Sequence, residues 1–393
     1  MVEKRGIGDV ALRGRRVLAR VDFNVPQDAS GQIADDRRIQ EALPTLNHLR
    51  TSGARTVLLS HLGRPNGQRD PKLSLKPVAR RLSSLLGQPV PVADDIVGIH
   101  ALEMSARVEN GQFLMLENLR FHPGEEANDP VFAGQLARLG ELFVQDAFGV
   151  VHRAHASTVG VPKRLPSVAG LLVAREVREL SRLVDAPARP YVVVVGGAKV
   201  ADKLPLLASF CSRADTLLLG GALSFPFLRA AGADLGQSLG EAGLDADVTA
   251  LLAAAKSSGA NVVLPTDLVV DRPGGATPET VAVDAVPADA SARDIGPATR
   301  ARFLAALAGS KTVFWNGPLG QAEDPRFAAG TREVLAGLRT LPGYHVGAGG
   351  DSARVAQELG VMDAFQFVST GGGAALEFVQ GLELPGLAVL PNA

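Results

Sequence analysis

The groups in this chain best suited to chemistry are cationic side chains placed just after short β-branched runs. Residues 192–195 are four valines, followed by Gly196, Gly197, Ala198, Lys199, Val200, Ala201, Asp202 and Lys203. The valines predict a buried strand and the glycines a tight turn. A following helix would carry both lysines, four residues apart, on one face. A strand, a glycine turn and a helix N-terminus make an anion site, because free N–H groups and the helix dipole both favour negative charge. The stretch is neither GxxxxGK[ST] nor GxGxxG. The plain alternative is an ordinary strand–turn–helix with two solvated lysines.

Other expected strand ends carry polar groups too. In the first half, Asp22, Phe23 and Asn24 follow a strand at Arg16–Val21, and His61, Gly63 and Arg64 follow one at Thr56–Leu59. Glu117, Asn118 and Arg120 follow Gln112–Leu116, while Asp146, His152, Arg153 and His155 follow Glu141–Val144. In open α/β sheets ligands sit beyond the carboxyl ends of strands. Arg38, at a helix start, would join Arg64, Arg120 and Arg153 in a guanidinium patch that grips phosphate bidentately, with His61 donating a further bond. The ligand expected is a small phosphorylated anion, since no aromatic ladder alternates with the arginines as a nucleic-acid groove would need.

At the same edge the second half is glycine-rich: Gly196–Gly197, Gly220–Gly221, Trp315–Asn316–Gly317–Pro318, Gly349–Gly350–Asp351–Ser352 and Ser369–Gly373, with Asp267 among them. Such junctions let a ligand approach the backbone. N–H groups around Gly371 and Gly372, before a helix at Ala374–Val379, could hold a phosphoryl group in transfer. Asp351 is the candidate contact for Mg²⁺, a role compatible with capping a helix, and Glu323 could accept from ribose hydroxyls.

The elements that must position these groups alternate strand and helix, predicting an α/β fold with mainly parallel sheets and helices on both faces. The first half has expected helices from Asp35 or Asp36 to Arg50, at Ser74–Leu86 and near Pro130–Leu139, and a short strand at Pro89–Val92. A long amphipathic helix at Val168–Val184 is the candidate hinge. Further strands are expected at Tyr191–Val195, Thr216–Leu219, Asn261–Leu264, Thr312–Trp315, Tyr344–Gly347 and Gln366–Val368, and residues 270–292 read as an irregular loop. At 393 residues two domains are expected. Forty basic against 41 acidic residues excludes the global charge excess of a nucleic-acid-coating or membrane-surface protein. One cysteine, Cys211, excludes an internal disulfide and a multi-cysteine zinc site. Neither a secretory leader nor an apolar run of about 18 residues is evident; the expected location is cytoplasmic.

In chain order, the stretches RVDFNVP (20–26), DDRRI (35–39), SHLGRP (60–65), ENLRF (117–121), DAFG (146–149), HRAHAST (152–158), GGAKVADK (196–203), DIGP (294–297), WNGP (315–318), GGDS (349–352) and STGGGAALE (369–377) resemble phosphoglycerate kinases across almost the whole chain. The resemblance implies two Rossmann-like three-layer αβα domains facing each other across a cleft: residues 1–168 with a returning segment 380–393 for the triose phosphate, a hinge helix at 169–184, and 185–379 for the nucleotide. It implies that Asp22, Phe23, Asn24, Arg38, His61, Leu62, Gly63, Arg64, Arg120 and Arg153 bind 3-phosphoglycerate or 1,3-bisphosphoglycerate. For MgADP or MgATP it implies Gly197, Lys203, Gly220, Asn316, Pro318, Glu323 and Gly349–Ser352, with Asp351 at the magnesium and Lys199 with Arg38 on the phosphoryl in flight. A monomer is the family expectation. Gln145, Ala348 and Ala222–Pro226 depart from the usual pattern, the last two beside the nucleotide. Two other readings stand against it. A nicotinamide-dependent dehydrogenase would need GxGxxG, and a noncatalytic binding module would have little need for phosphate-binding groups in both halves.

Overall fold

The computed structural model describes residues 3–28, 31–241, 243–274 and 277–393, with the side chain of Asp351 outside the described residues. The chain divides into two compact units, Met1–Ser181 with Leu382–Ala393, and Arg182–Gly381. Among the described residues no helix is long and apolar enough to cross a membrane.

The first unit contains β1 (Arg16–Arg20), α1 (Arg37–Thr51), β2 (Arg55–Leu59), α2 (Lys76–Leu86), α3 (Ile99–Arg107), β3 (Phe113–Met115), α4 (Pro130–Ala137), β4 (Leu142–Gln145), β5 (Ser167–Ala169) and α5 (Leu171–Val184), the division falling within α5. Its five strands are all parallel, in the order β3-β2-β1-β4-β5. Side chains alternate across a strand, and the core is sorted accordingly. Val17, Ala19, Leu58 and Val144 pack with Ile39, Leu46 and Leu49 of α1 and Val78 and Leu82 of α2. Leu18, Val57, Leu114 and Phe143 meet Ala101 of α3 and Phe132 and Leu136 of α4 on the other face. Neighbouring strands on either side of β1 lead away in opposite directions, so β1 and β4 flank the switch point where α/β sheets take ligands.

The second unit contains β6 (Tyr191–Val195), α6 (Leu204–Cys211), β7 (Thr216–Leu219), α7 (Phe225–Ala230), α8 (Asp245–Ser258), β8 (Asn261–Val263), β9 (Asp267–Asp271), β10 (Glu279–Ala282), β11 (Ser291–Ile295), α9 (Pro297–Leu307), β12 (Thr312–Asn316), α10 (Ala329–Leu338), β13 (Tyr344–Ala348), α11 (Gly350–Glu358), β14 (Phe367–Ser369) and α12 (Gly373–Val379). Six parallel strands run in the order β14-β13-β12-β6-β7-β8. One face packs Val192, Val194, Val313 and Trp315 against α9 and α10 through Phe303, Val334 and Leu338. On the other, Phe210 of α6 meets Tyr191 and Phe314, with ring centroids 5.9 and 5.3 Å apart. A last short helix, α13 (Pro385–Ala388), belongs to the first unit, where the Gly386 N–H donates to the Val151 carbonyl at 2.8 Å.

Four local expectations are corrected. Residues 270–292 are not irregular: β9, β10 and β11 form an antiparallel three-stranded sheet in the order β10-β9-β11. The segment at Pro89–Val92 makes only a single bridge, Val92 to Met115. The expected helix at Val168–Val184 begins at Leu171, because Ser167–Ala169 pairs with β4 and Gly170 follows, where a Cβ would lie 2.2 Å from an Asp146 oxygen. After Gly197 the chain does not enter a helix at once. Lys199 precedes a 3-10 turn at Ala201–Lys203, and α6 starts only at Leu204, so Lys199 and Lys203 do not share a helix face.

Candidate active site

The ligand-facing groups of the first unit follow the carboxyl ends of β1 to β4. Arg38, in the first turn of α1, donates from Nη1 to Asp22 Oδ2 at 2.5 Å. Gly149 closes against this pair, since a Cβ there would lie 2.3 Å from Asp22 Oδ2. Asn24 Oδ1 accepts the Gly63 N–H at 2.9 Å, joining the loops after β1 and β2. Asn118 joins those after β2 and β3: it accepts from the N–H groups of Leu62 and Arg120 and donates to the Leu62 and Leu73 carbonyls. Arg120 donates to the Gly63 carbonyl at 2.8 Å and lies 3.1 Å from Glu126. Burial lowers its pKa, as do the nearby charges of Arg153 and Arg64, so these three guanidinium groups share one neighbourhood. Arg64 is exposed and Arg153 half-buried. Phe23 and Leu62 have core side chains, leaving only their backbones for a ligand.

The protonation of His61 follows from its neighbours. Its Nδ1 lies 3.2 Å from Arg20 Nη2, and a guanidinium can only donate. Nδ1 therefore accepts, and the proton sits on Nε2. Burial, then the charges of Arg20, Arg120 and Arg38, hold the His61 pKa well below its ordinary value, so the ring is a neutral donor. Burial and the same kind of cationic surroundings bring His155 down to about 4.

Behind this surface lies a buried network that the strand-end pattern missed. Arg20, 1% exposed, donates from Nε to Ser157 Oγ at 2.8 Å, and Ser157 donates to Glu125 at 2.5 Å. The only hint in the sequence is an arginine at a strand position facing the core. Conversely, three acids from the strand-end series are scaffold. Glu117 accepts from Leu75 N and Ser74 Oγ at the start of α2. Asp146 accepts from Leu172 N at 3.0 Å and Asp267 from Thr299 N at 2.7 Å, capping α5 and α9.

In the second unit three glycine turns stack at the ends of β6, β7 and β12. A Cβ on Gly196 would meet the Pro318 carbonyl at 2.0 Å, and Gly221 N donates to Leu319 O at 2.8 Å. Beside Gly220, the departures at 222–226 run through a 3-10 turn, Gly221–Ser224, into the first two residues of α7. The Lys203 ammonium turns back to donate to the Gly196 carbonyl, whereas Lys199 is exposed. Ser352 Oγ accepts the Gly317 N–H at 2.6 Å and donates to Ala348 O, which also accepts from Asn316 Nδ2 at 2.8 Å. Ala348 thus acts here through its carbonyl. Gly349, at φ +98°, turns the chain from β13 into α11 beside Gly350, and Gly372, at φ +53°, does so before α12, with Gly371 N donating to Ser369 Oγ. Asn316 Oδ1 is buried without a hydrogen-bond partner, an acceptor suited to a ligand hydroxyl or metal-bound water. Glu323 pairs with Arg354 at 3.2 Å. The magnesium candidate, the Asp351 carboxylate, lies outside the described residues.

Comparison with known proteins agrees over the whole length. A family model described as "Phosphoglycerate kinase" matches residues 7–382. Relatives named phosphoglycerate kinase include one from Frankia casuarinae, 49% identical, and one from Pelotomaculum thermopropionicum, 47% identical, each match covering 98% of this chain and 99% of the relative. The solved phosphoglycerate kinase of Coxiella burnetii superposes with a TM-score of 0.89 at 36% identity, covering 98% of both chains. The chain belongs to the phosphoglycerate kinase family.

Proposed function

We propose the following division of labour for the reaction of the family, magnesium-dependent phosphoryl transfer between 1,3-bisphosphoglycerate and ADP to give 3-phosphoglycerate and ATP. The first unit, Met1–Ser181 with Leu382–Ala393, binds the triose. Arg64, Arg120, Arg153 and the neutral His61 hold its phosphate, and Asp22, Asn24 and the backbones of Phe23, Leu62 and Gly63 orient the rest. The second unit binds the nucleotide through Gly197, Lys203, Gly220, Asn316, Pro318, Glu323, Gly349, Gly350 and Ser352. Asp351 is the residue that would hold magnesium together with the nucleotide phosphates, and the bound ion would neutralise charge on their oxygens. Arg38, Lys199 and the N–H groups of Gly371 and Gly372 stabilise the phosphoryl in transit.

In the direction of ATP use the nucleophile is a carboxylate, ionised well above its pKa of about 4. No general base is required, and the triose half-site is poor in them: His61 and His155, held well below the ordinary imidazole pKa, are weak bases, and Asp22 is engaged by Arg38. That match carries the reading. Arg38 and Lys199 belong to different units, so both units have to contribute to one phosphoryl; we read α5 as the hinge for this, and closure as what would exclude water. The chain is read as a cytoplasmic monomer. A coupled assay for ATP formation from ADP and 1,3-bisphosphoglycerate tests the proposal. Binding of both ligands without turnover would instead make the chain a binding module.

A further inference from the structure

Lys199 stands on a short loop between Gly197 and the 3-10 turn Ala201–Lys203 that leads into α6. Its side chain is exposed, so the backbone beneath it decides where the ammonium stands. The next residue anchors that backbone. Val200 is 2% exposed, and its carbonyl accepts from Lys203 N at 2.9 Å and Leu204 N at 3.2 Å. The N–H groups at the head of such a turn have no partner inside it. Here they are met by the loop before α8: Val200 N donates to Glu241 Oε1 at 2.9 Å, and Ala201 N to Glu241 Oε2 at 3.0 Å.

One carboxylate thus grips two consecutive N–H groups, one with each oxygen, in a charge-assisted pair. The segment that carries Glu241 is itself pinned. Arg229 of α7 donates to the Ser238 carbonyl at 2.9 Å and to the Leu239 carbonyl at 3.1 Å, and Ala292 N of β11 donates to Ser238 Oγ at 2.8 Å. The Lys199 loop is therefore tied through Glu241 to a support on α7 and β11. The same two bonds occupy N–H groups that an anion would otherwise take at a helix start, which leaves anion binding on this loop to its lysines.

We propose that Glu241 is a positioning residue for Lys199, its carboxylate holding the Val200 and Ala201 N–H groups so that the lysine meets the phosphoryl in transit. The proposal rests on the role given to Lys199 above. Without this tie the loop samples more arrangements, and the ammonium is in place in only a fraction of encounters; a misplacement of about 1 Å is already costly in rate. Nucleotide binding is spared, because the Lys203 ammonium is fixed separately on the Gly196 carbonyl.

The test is a double-mutant cycle in kcat and KM, with MgADP and 1,3-bisphosphoglycerate as substrates. Glu241→Gln keeps the size of the side chain but turns an amide donor toward one of the two N–H groups, so a single bond survives. Its kcat is expected to fall about tenfold, with KM for MgADP held within about twofold. Glu241→Asp, which keeps both acceptor oxygens on a shorter arm, should fall less. In the Lys199→Ala background the lysine to be placed is gone, so adding Glu241→Gln should cost less than about twofold in kcat. A further loss of about tenfold in that background, Glu241→Asp as slow as Glu241→Gln, or a raised KM for MgADP with kcat kept would each overturn the assignment. Near-native turnover in Lys199→Ala alone would strike the role of Lys199 instead, so the two failures are distinct.

Discussion

Lys199 and Arg38 are given the same duty, yet they differ in what their removal does to the folded chain. Lys199 is exposed, so Lys199→Ala should leave the fold intact while removing a charge that acts on the phosphoryl in transit. Its kcat is expected to fall about 100-fold or more, with smaller changes in KM; near-normal steady-state turnover would end the assignment. Arg38→Ala also strands Asp22, which is 7% exposed and accepts from it, so a stability cost accompanies the kinetic one. Arg64 should behave differently again, because a group gripping the distant phosphate binds ground and transition states alike. Arg64→Ala is expected to raise the Kd for 3-phosphoglycerate about tenfold, as loss of a charged hydrogen bond does, with kcat largely kept; an unchanged Kd by calorimetry removes it from the patch. At this scale the exposed cations were legible because they follow strands at the edge where α/β sheets bind ligands. Which acids are scaffold was not, since Asp146 and Asp267 reveal their capping role only through helices distant in sequence.

Among the elements, α5 starts on a buried acid, Asp146. Asp146 Oδ1 accepts from the first turn of the helix, and Oδ2 is buried without a hydrogen-bond partner. Burial pushes this carboxyl up to about 8, against the capping N–H groups and Thr45, which pull it down. Because the folded value lies above the unfolded one, its contribution to stability is fully present below about pH 4 and is lost as pH rises through about 8. Asp146→Asn keeps the accepting oxygen and cannot ionise. Its melting temperature is therefore expected to gain on the native chain between pH 5 and pH 8, by calorimetry; parallel melting curves across that range would show that the acid does not titrate there. His155 acts in the opposite sense: with a folded value of about 4, its contribution is complete above about pH 6.5 and is lost as pH falls toward 4. The start of α5 escaped the sequence pattern because Ser167–Ala169 continues the apolar run that the helix also uses, and a three-residue strand has no period of its own. The β9–β11 sheet escaped it because β10 is largely exposed and lacks the alternation that burial imposes.

For the whole molecule, the parallel sheets and two-part division follow from the alternation of short apolar runs with amphipathic stretches, whereas no sequence pattern specifies how two separately folded units respond to ligands. The proposed roles impose a condition on that response. Each substrate has its own unit, while the phosphoryl group needs Arg38 from one and Lys199 from the other. One ligand alone should therefore stabilise the chain by mass action, about 2.7 kcal/mol at a hundredfold excess over its Kd, without drawing the units together. With 3-phosphoglycerate and a non-hydrolysable MgATP analogue both bound, the charges on the two ligands are bridged only when Lys199 and Arg38 reach the same phosphoryl, which favours the closed arrangement. The radius of gyration by small-angle X-ray scattering is thus expected to fall with both ligands and to stay near the free value with either one. Lys199→Ala, still binding each ligand separately, should show a smaller contraction. Full contraction with a single ligand would mean that closure is not conditional on completing the site, and a variant contracting like the native chain would mean that Lys199 does not bridge the two halves.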